Sequence, residues 1–596
     1  MAPAPRLTET GPRLLRAGPL SAVLDGPALR WIRFRGQEVV RAIQPTTRDR
    51  DWRTISAIVE RIAVDEPRDG EGACATLALR MNAPGVSVES ELTVDCRTSG
   101  RLVVDYVATA VTPTTVQRLG LVVLLPAGAA GASFAADGPA GPVSGLLPVS
   151  IEDERVVTDC ERLAWHPSPD LEARLTFEGP LWEIEDQRAW SDASFKAYSP
   201  PLRVPHPVAL APGTTQKVRV TLDVSPAAGR ASRRPSSSAT TGAVRVTGSA
   251  IGVVPPIGTG WTRPLADHER ADLAAMRVGH LRVVVDHDDP DWRATLAAAG
   301  DDARVLGCPL ELELVGFGDD AALAEVAAAT NATSRIAGVL VFGGDGDDGL
   351  VTSSAASIAR ARAAFQAAHR PPPVGGGTRA NLAELLARRP PVDGCDRVSL
   401  AVSPQVHADD DATILENAGV VGDVLARAAA AAGGRPLTVA CSLRPRFNAY
   451  AQPPERSLPV DGGDPRFAEP IGTAWLITTL AGAFQAPPAR LTIGEATGPG
   501  GMAGTPERSP TGVRRVLRAA PAGSTLHSVD VSGPVAAFAV TVGGSVRIVL
   551  ANGSGRRLGV RWFVDEIGTG SGTVNLGPYG SAIVELSATT SSAALL

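Results

Sequence analysis

Glu495 follows an apolar run in the stretch RLTIGEATG, with Gly494 before it and Gly498 shortly after it. A carboxylate at the end of a buried strand, with little bulk beside it, can present its oxygens to a pocket. Such a group serves as a general base or as a nucleophile, and its alternative role is a salt bridge that closes the strand end. Glu495 is therefore the first candidate for a catalytic residue.

Further polar side chains follow apolar runs in the same part of the chain. His407 lies in SPQVHADDD, where an imidazole can transfer a proton or polarise a carbonyl, or has a purely structural role. Arg444 and Arg446 flank a proline that holds the backbone extended, which suits binding of a carboxylate or an oxyanion. The other polar residues at such ends are Asp286, His287, Asp288, Asp345, Thr378, Arg379, Asn381, Gln405, Asp409 and Asn448.

Metal-ligating residues lack the spacing of a metal motif. Two histidines have aspartates nearby, at 287–288 and 407–409, but neither pair has H-x-H or H-E-x-x-H spacing. The six cysteines lie far apart, without a Cys-x-x-Cys pair. The sequence therefore predicts no metal site and no cofactor, and it predicts free, buried thiols in a reducing compartment.

The stretch WEIEDQRAWSDASFKAY, from Trp182 to Tyr198, concentrates residue types that are rare elsewhere. Only 4% of the chain is aromatic, yet this stretch holds two Trp, one Phe and one Tyr. It also holds Lys196, one of two lysines in the chain. Lysine is a compact charge with an adjustable pKa, whereas arginine is a fixed planar fork. We therefore interpret the stretch as functional rather than as ordinary sandwich surface.

The patterning along the chain indicates the elements that position these residues. Alternating, β-branched runs such as RLVVDYVATAV predict an N-terminal β-sandwich over residues 1–225, followed by a Ser/Gly/Pro-rich linker at 226–244. From 245 to 519, apolar runs alternate with helical segments, which predicts a (β/α)8 barrel. A doubly wound sheet is the alternative, but no G-x-G-x-x-G follows the first strand. Residues 520–596 are predicted to form a small C-terminal β-sandwich.

The predicted barrel brings the candidate residues to one end. Its eight candidate strands are SAIGVV, HLRVVVD, LELELVGF, AGVLVFG, PPVGGGT, RVSLAVS, PLTVACSL and RLTIGEA. Active sites of such barrels lie at the carboxyl ends of the strands, where the polar residues named above follow.

Charge and hydropathy exclude several classes of function. The 596 residues carry a net charge of −6, so we expect no nucleic-acid partner. No apolar stretch approaches the roughly 20 residues of a membrane span. The first residues lack the apolar core of a signal peptide, so a cytoplasmic location is predicted. Nothing in the sequence indicates an oligomeric state.

The stretch EIEDQRAWSDASFKAYSPPL resembles a segment characteristic of the D-apionate lactonase family, bacterial enzymes of apiose catabolism. VGGGTRANLAELLARRPP, SPQVHADDDATILEN, SLRPRFNAY and GEATG resemble the corresponding barrel segments of that family. The resemblance covers roughly residues 150–515 and implies a sandwich, a barrel and a C-terminal β-domain. It also implies a hydrolase that opens a sugar lactone, D-apionolactone or a close relative, to the aldonic acid. The sequence departs from the family at FGGDGDDG and ATGPGGM, which affects the expected substrate more than the expected fold.

Lactone hydrolysis requires a base for water, stabilisation of an oxyanion and an acid for the departing ring oxygen. The resemblance implies Glu495 as the base, unless a carboxylate such as Glu185 takes that role. It implies oxyanion stabilisation or product binding by His407, Arg444 or Lys196. If the loop around Lys196 leans over the barrel mouth, the pocket is completed by Glu185, Asp186, Arg188 and Lys196. The expected partners of the sugar hydroxyls in the barrel are Asn381, Gln405 and Asn448.

Two other functions fit parts of the sequence. A glycoside hydrolase of the TIM-barrel type would use Glu495 with Asp345, but the Asn-Glu pair that many such barrels carry after strand four is missing. A non-catalytic sugar-binding protein would place aromatic platforms along the barrel rim, and the rim segments have few Trp and Tyr. The lactonase hypothesis therefore ranks first and the glycoside hydrolase second.

Overall fold

A computed structural model describes the chain in two compact units. The first comprises Met1–Arg188 and Ser194–Ser238, and the second comprises Ala189–Ala193 and Ala239–Leu596. The short segment Ala189–Ala193 thus belongs to the second unit although the chain on both sides of it belongs to the first. The described residues are 11–65, 72–152, 155–227, 241–333, 335–343, 350–366, 370–451, 463–505, 508–565, 570–587 and 591–596.

The first unit is built from antiparallel strands whose side chains alternate between buried and exposed positions. Its strands are β1 (Arg13–Ala17), β2 (Leu20–Asp25), β3 (Ala28–Phe34), β4 (Gln37–Arg48), β5 (Ile58–Asp65), β6 (Gly72–Ala83), β7 (Val86–Arg97), β8 (Arg101–Ala110), β9 (Thr114–Val116), β10 (Arg118–Pro126), β11 (Ser133–Asp137), β12 (Val143–Leu146), β13 (Arg155–Cys160), β14 (Arg162–Ser168), β15 (Leu171–Glu178), β16 (Trp182–Asp186), β17 (Ser194–Tyr198), β18 (Val208–Leu210) and β19 (Thr215–Pro226).

These strands form two large sheets. One has the order β1-β2-β3-β4-β10-β17-β16-β13, the other has the order β12-β11-β14-β15-β19-β8-β7-β6-β5, and β18 pairs with β9. The inward-facing side chains of both sheets share one apolar core, in which Phe177 stacks on Trp182 with ring centroids 4.2 Å apart. This arrangement confirms the predicted N-terminal β-sandwich.

The second unit contains a closed barrel of eight parallel strands in the described part of the chain. The strands are β21 (Ile257–Trp261), β22 (Leu281–Asp286), β23 (Leu310–Val315), β24 (Ile336–Phe342), β25 (Val374–Gly377), β26 (Val398–Val402), β27 (Leu437–Cys441) and β28 (Arg490–Glu495). The helices are α1 (Asp267–Met276), α2 (Trp292–Leu306), α3 (Asp320–Thr333), α4 (Ala355–Gln366), α5 (Leu382–Arg388), α6 (Asp411–Ala418), α7 (Val421–Ala431), α8 (Pro470–Ala483) and α9 (Thr511–Ala519).

An eight-stranded sheet follows the barrel and takes one strand from the chain before it. Its strands are β20 (Thr241–Val253), β29 (Thr525–Ser532), β30 (Val535–Val542), β31 (Ser545–Asn552), β32 (Leu558–Val564), β33 (Gly570–Leu576), β34 (Ser581–Leu586) and β35 (Ser591–Leu595). Helix α8 is buried along most of its length because it packs on β30 and β31 as well as on its helical neighbours. An apolar surface all around a helix is what such a position requires.

One predicted barrel strand is wrong. The run SAIGVV lies in β20, which pairs with β29 and β32 of the C-terminal sheet. The first barrel strand is β21, IGTGW. Its two glycines and the prolines before it are typical of a turn, so the sequence does not indicate a strand there. The other seven predicted barrel strands are confirmed. Residues 228–240 of the predicted linker lie outside the described residues, and the domain boundaries stay a prediction.

All six cysteines are free, and five of them are buried, whereas Cys74 is exposed. No helix in the described residues combines the length and the apolar character needed to cross a membrane.

Candidate active site

The barrel interior holds charged side chains where most barrels pack aliphatic residues. In β23, LELELV, the two glutamates alternate with leucines, so Glu311 and Glu313 share one face of the strand. That face points into the barrel, because Glu311 accepts a hydrogen bond of 2.9 Å from the hydroxyl of Thr438 in β27. The barrel interior is therefore polar.

One layer of side chains, nearer the amino-terminal ends of the strands, surrounds Glu311. Arg282 and Arg490 lie 3.7 Å and 3.6 Å from its carboxylate oxygens. His280 shares a 2.8 Å hydrogen bond with Thr492. Burial lowers the pKa of His280 well below its ordinary value, and the charge of Arg490 lowers it further, so its imidazole is neutral.

A second layer, nearer the carboxyl ends of the strands, centres on Glu313, which is bound by two arginines. Arg282 donates to one carboxylate oxygen from Nε at 2.9 Å, and Arg379 donates to the other from Nε at 2.6 Å. Burial alone would raise the pKa of Glu313, but the two guanidinium groups outweigh burial and hold the pKa at about 2. Glu313 is therefore an anion throughout the neutral pH range.

Glu495 and Glu311 each have one buried carboxylate oxygen without a hydrogen-bond partner, and of the two Glu495 lies at the carboxyl end of its strand, β28. Its Oε1 accepts a hydrogen bond from Arg446, and its buried Oε2 has no hydrogen-bond partner. Burial raises the pKa of Glu495, and the negative charge of Glu313 raises it further, although Arg446 acts in the opposite direction. The structure thus places the predicted Glu495 at the carboxyl end of a barrel strand with one oxygen available.

A β-bulge directs Glu495 into the barrel. The register of β28 against β21 pairs Thr492 with Gly258 and Glu495 with Gly260, so three residues of β28 match two of β21. The extra residue is accommodated at Gly494, whose φ of +50° favours glycine. Because side chains alternate along a strand, this extra residue gives Glu495 the same inward direction as Thr492.

Gly260 provides the room for the Glu495 carboxylate. A Cβ on Gly260 would meet that carboxylate, with its Cδ only 2.8 Å away, and would lie 2.5 Å from Nη1 of Arg446. Substitution at Gly260 therefore displaces both charged groups.

We expect Gly260→Ala to lower by about 100-fold the rate of a reaction that uses the Glu495 carboxylate, since a shift of about 1 Å in a reacting group has effects of this size. Steady-state kinetics with the substrate proposed below would measure it. Gly577→Ala is the matched control, because a Cβ there meets nothing within 4 Å. Equal activity of the two variants would show that the position of the Glu495 carboxylate is not important.

His407 pairs with Asp192, a residue of the segment Ala189–Ala193. Nδ1 of His407 is hydrogen-bonded to Oδ2 of Asp192, and Oδ1 accepts a 2.8 Å hydrogen bond from Asn417. The His407 ring also lies edge-on to Trp190, with centroids 6.1 Å apart. Two residues of the aromatic and charged stretch, Trp190 and Asp192, thus contact His407.

Gln405 and Arg444 belong to a network around Asp464. Gln405 donates a 2.7 Å hydrogen bond to Asp464, Arg466 donates one of 2.8 Å, and Arg444 lies 3.6 Å away. Burial would raise the pKa of Asp464, but hydrogen bonds from Arg466 and Gln405 hold it at about 2. The structure therefore joins these two predicted residues to each other through a carboxylate that the sequence analysis did not single out.

Asn381 and Asn448 lie around Glu384 and Tyr450. Asn381 precedes α5 as its N-cap, and its backbone N–H donates a 2.8 Å hydrogen bond to Glu384. Tyr450 donates to the same carboxylate at 2.8 Å, and its backbone N–H donates to Asn448 at 2.9 Å. Contact of these two amides with a substrate stays a prediction.

The four remaining predicted residues lie in the first unit as two ion pairs. Lys196 and Glu185 face each other across β17 and β16 with 2.6 Å between Nζ and Oε1. Arg188 makes hydrogen bonds of 2.8 Å and 2.7 Å to the two oxygens of buried Asp186 and a third, of 2.7 Å, to the carbonyl of Pro148. The role of these four residues in catalysis or substrate binding stays a prediction.

Sequence reasoning missed Arg282, Glu313, Asp192 and Asp464. The alternation of Glu with Leu in β23 was a usable signal, because it gives an otherwise apolar strand one charged face. Asp345 lies outside the described residues. Within the described residues, no group of three potential ligands (His, Cys, Asp or Glu) is placed to hold a metal ion.

Solved structures similar to this chain include glycoside hydrolases. The GH51 arabinofuranosidase from Xanthomonas axonopodis pv. citri is 11% identical, with a TM-score of 0.41, covering 58% of this chain and 97% of that one. CelM2, a bifunctional glucanase-xylanase from a metagenome library, is 8% identical, also with a TM-score of 0.41, covering 59% and 99%. Likeness at this level carries no conclusion about activity.

Family models give a specific match. The model of the D-apionate lactonase N-terminal domain matches residues 5–227, and the model of the D-apionate lactonase TIM barrel domain matches residues 261–528. A D-apionate lactonase of Brucella anthropi is 28% identical over 566 residues, which cover 86% of this chain and 87% of that protein. Since the two matches together span most of the sequence, the chain belongs to the D-apionate lactonase family and is an enzyme of the lactonase class.

Proposed function

We propose that the chain hydrolyses a sugar lactone, D-apionolactone or a close relative, to the aldonic acid, with Glu495 as the base that activates water. The observation that carries this proposal is the state of the Glu495 carboxylate. It is buried at the carboxyl end of a barrel strand, with Oε1 bound to Arg446 and Oε2 without a partner. Oε2 can accept a hydrogen bond from a water molecule and then its proton.

The electrostatics around Glu495 suit a general base. Burial and the neighbouring Glu313 anion raise its pKa above the ordinary value of a glutamate, which increases its affinity for the proton of water. When Glu495 takes that proton, its negative charge is transferred to the tetrahedral oxyanion. Arg446 lies beside the site throughout and compensates the charge before and after the transfer.

Unsatisfied hydroxyls near Glu495 support a polyol substrate. Thr262 follows β21 and Thr497 follows β28, and because Gly260 pairs with Glu495, these threonines extend the same two strands. Their buried Oγ1 atoms have no hydrogen-bond partner. A substrate rich in hydroxyl groups would satisfy both, whereas an apolar ester would leave them unpaired.

Proton release by the purified protein tests this function. D-apionolactone in weak buffer with a pH indicator is expected to acidify faster than its spontaneous hydrolysis, and the product is expected to be an acid. Acidification equal to the spontaneous rate with D-apionolactone and with other sugar lactones would contradict the proposal. A new reducing end released from a glycoside would instead support the glycoside hydrolase alternative.

We expect the activity to fall on acidification at a higher pH than an ordinary glutamate would give. The base acts only when ionised, and the pKa of Glu495 is raised by burial and by Glu313. The acid limb of kcat/KM therefore lies above pH ~4.3, the ordinary value of a glutamate. A pH series of initial rates, corrected for spontaneous hydrolysis, measures this limb. An acid limb at or below the ordinary value would indicate a different base.

A further inference from the structure

Asp192 is held in one orientation by several contacts in the second unit. Its Oδ1 accepts a 2.8 Å hydrogen bond from Nδ2 of Asn417. The amide of Asn417 is itself fixed, since it donates a 2.8 Å hydrogen bond to the Pro404 carbonyl and accepts one of 2.7 Å from the backbone N–H of Ala193. Oδ2 of Asp192 is thereby directed at His407.

This carboxylate determines the state of the His407 imidazole. An ionised carboxylate only accepts hydrogen bonds, so Nδ1 of His407 carries a proton toward Asp192. A His407 that acts as an acid carries its second proton on Nε2, the other ring nitrogen. Aspartate–histidine pairs of this kind hold an imidazole in one orientation for proton transfer.

His407 is partly exposed at the carboxyl-terminal end of the barrel. It follows β26, and Glu495 ends β28 of the same parallel barrel, so both residues belong to the carboxyl-terminal end of the barrel. The side chain of His407 is 23% exposed, while that of Asp192 is only 6% exposed. The arrangement is a partly exposed imidazole held by a buried carboxylate.

Building on the proposed function, we propose that His407 protonates the departing ring oxygen of the lactone, and that Asp192 is the positioning residue that holds its imidazole in place. Water attacks the lactone carbonyl, and Glu495 takes one proton from that water as the new C–O bond forms. The ring C–O bond then breaks, and the oxygen leaves with the Nε2 proton of His407 as a hydroxyl group. The new carboxylic acid releases one proton to solvent, and the proton on Glu495 returns to His407 through solvent.

A substrate with a better leaving group tests this assignment. In the analogue of D-apionolactone with sulfur in place of the ring oxygen, a thiolate departs and needs no proton from an acid. With Asp192→Asn and His407→Gln, we expect kcat to fall by about 100-fold on the lactone and by less than about threefold on the thiolactone. Glu495→Gln is expected to lose activity on both, because water must be activated in each case.

The control variant is His287→Gln. His287 follows β22, is 37% exposed and lies beside Asp288, so it matches His407 in residue type and in its position after a barrel strand. Its substitution is expected to change neither rate. The ring ¹⁸O isotope effect on the oxygen lactone gives a second readout, and it should increase in Asp192→Asn because unassisted cleavage of the ring C–O bond becomes slower.

Equal losses on lactone and thiolactone, or an unchanged isotope effect, would assign Asp192 and His407 a structural role and overturn the inference. A wild-type enzyme inactive on every sugar lactone would contradict the proposed function itself. An active wild type with Asp192→Asn equal to it on both substrates would contradict only the role of Asp192.

Discussion

Glu495→Gln is expected to lower kcat on D-apionolactone by about 10³-fold with little change in KM. Glutamine has the shape of glutamate and keeps an oxygen for Arg446, but an amide does not accept the proton of water at neutral pH. The Glu495 carboxylate is buried and has a raised pKa, so water or a buffer ion is a poor substitute for it as the base. Initial rates corrected for spontaneous hydrolysis measure the loss.

Glu325→Gln is the control for that substitution. Glu325 lies on α3 with its side chain 45% exposed, where it forms a surface ion pair with Arg293. Surface pairs contribute little, so this variant should retain full activity. If Glu495→Gln instead keeps more than about a tenth of the activity while Glu185→Gln loses it, the base is a carboxylate of the first unit.

Glu313→Gln is expected to destabilise the second unit by about 3–5 kcal/mol, the usual effect of removing one partner from a buried ion pair. Glu313 is 4% exposed and compensates the charges of Arg282 and Arg379. Glutamine keeps one acceptor oxygen, so at least one buried guanidinium loses its counter-charge. Calorimetry of the full chain measures the shift in the unfolding transition.

The same variant has a second, kinetic effect with a defined sign. The Glu313 anion raises the pKa of Glu495, so its removal makes Glu495 easier to ionise. We therefore expect the acid limb of kcat/KM to move to lower pH.

Glu585→Gln is the control, because its side chain is 42% exposed in an ion pair with Arg547. A Glu313→Gln variant as stable as this control would show that the interior charges are dispensable.

Most of the fold could be predicted because each element carries its own local pattern. Several barrel strands, such as β24 and β27, are mainly apolar, as expected of parallel strands buried on both faces, and the sandwich strands alternate. β21 could not be recognised, since its sequence IGTGW has the composition of a turn. Its identity as a strand depends on pairing with β22, which follows α1, and with β28, which lies far away in the chain.

The site could be predicted only where a residue ends a strand. Glu495 and His407 follow apolar runs, and the segments that contain them resemble the lactonase family. The partner of His407 could not be foreseen, because Asp192 lies 215 residues earlier and outside the barrel sequence. Likewise, the pairing of Glu313 with Arg379 joins side chains 66 residues apart across the barrel interior, and no local pattern encodes such a distance.

The segment Ala189–Ala193 has a consequence for how the sequences of the two units can change during evolution. Its chain neighbours β16 and β17 are strands of the sandwich, yet its own contacts belong to the unit that contains the barrel. A gene fragment that begins after the sandwich would therefore encode a barrel whose His407 has no aspartate. Recombination that exchanges one unit for that of a relative must bring a matching loop with it. The two units are thus expected to evolve together rather than as interchangeable modules.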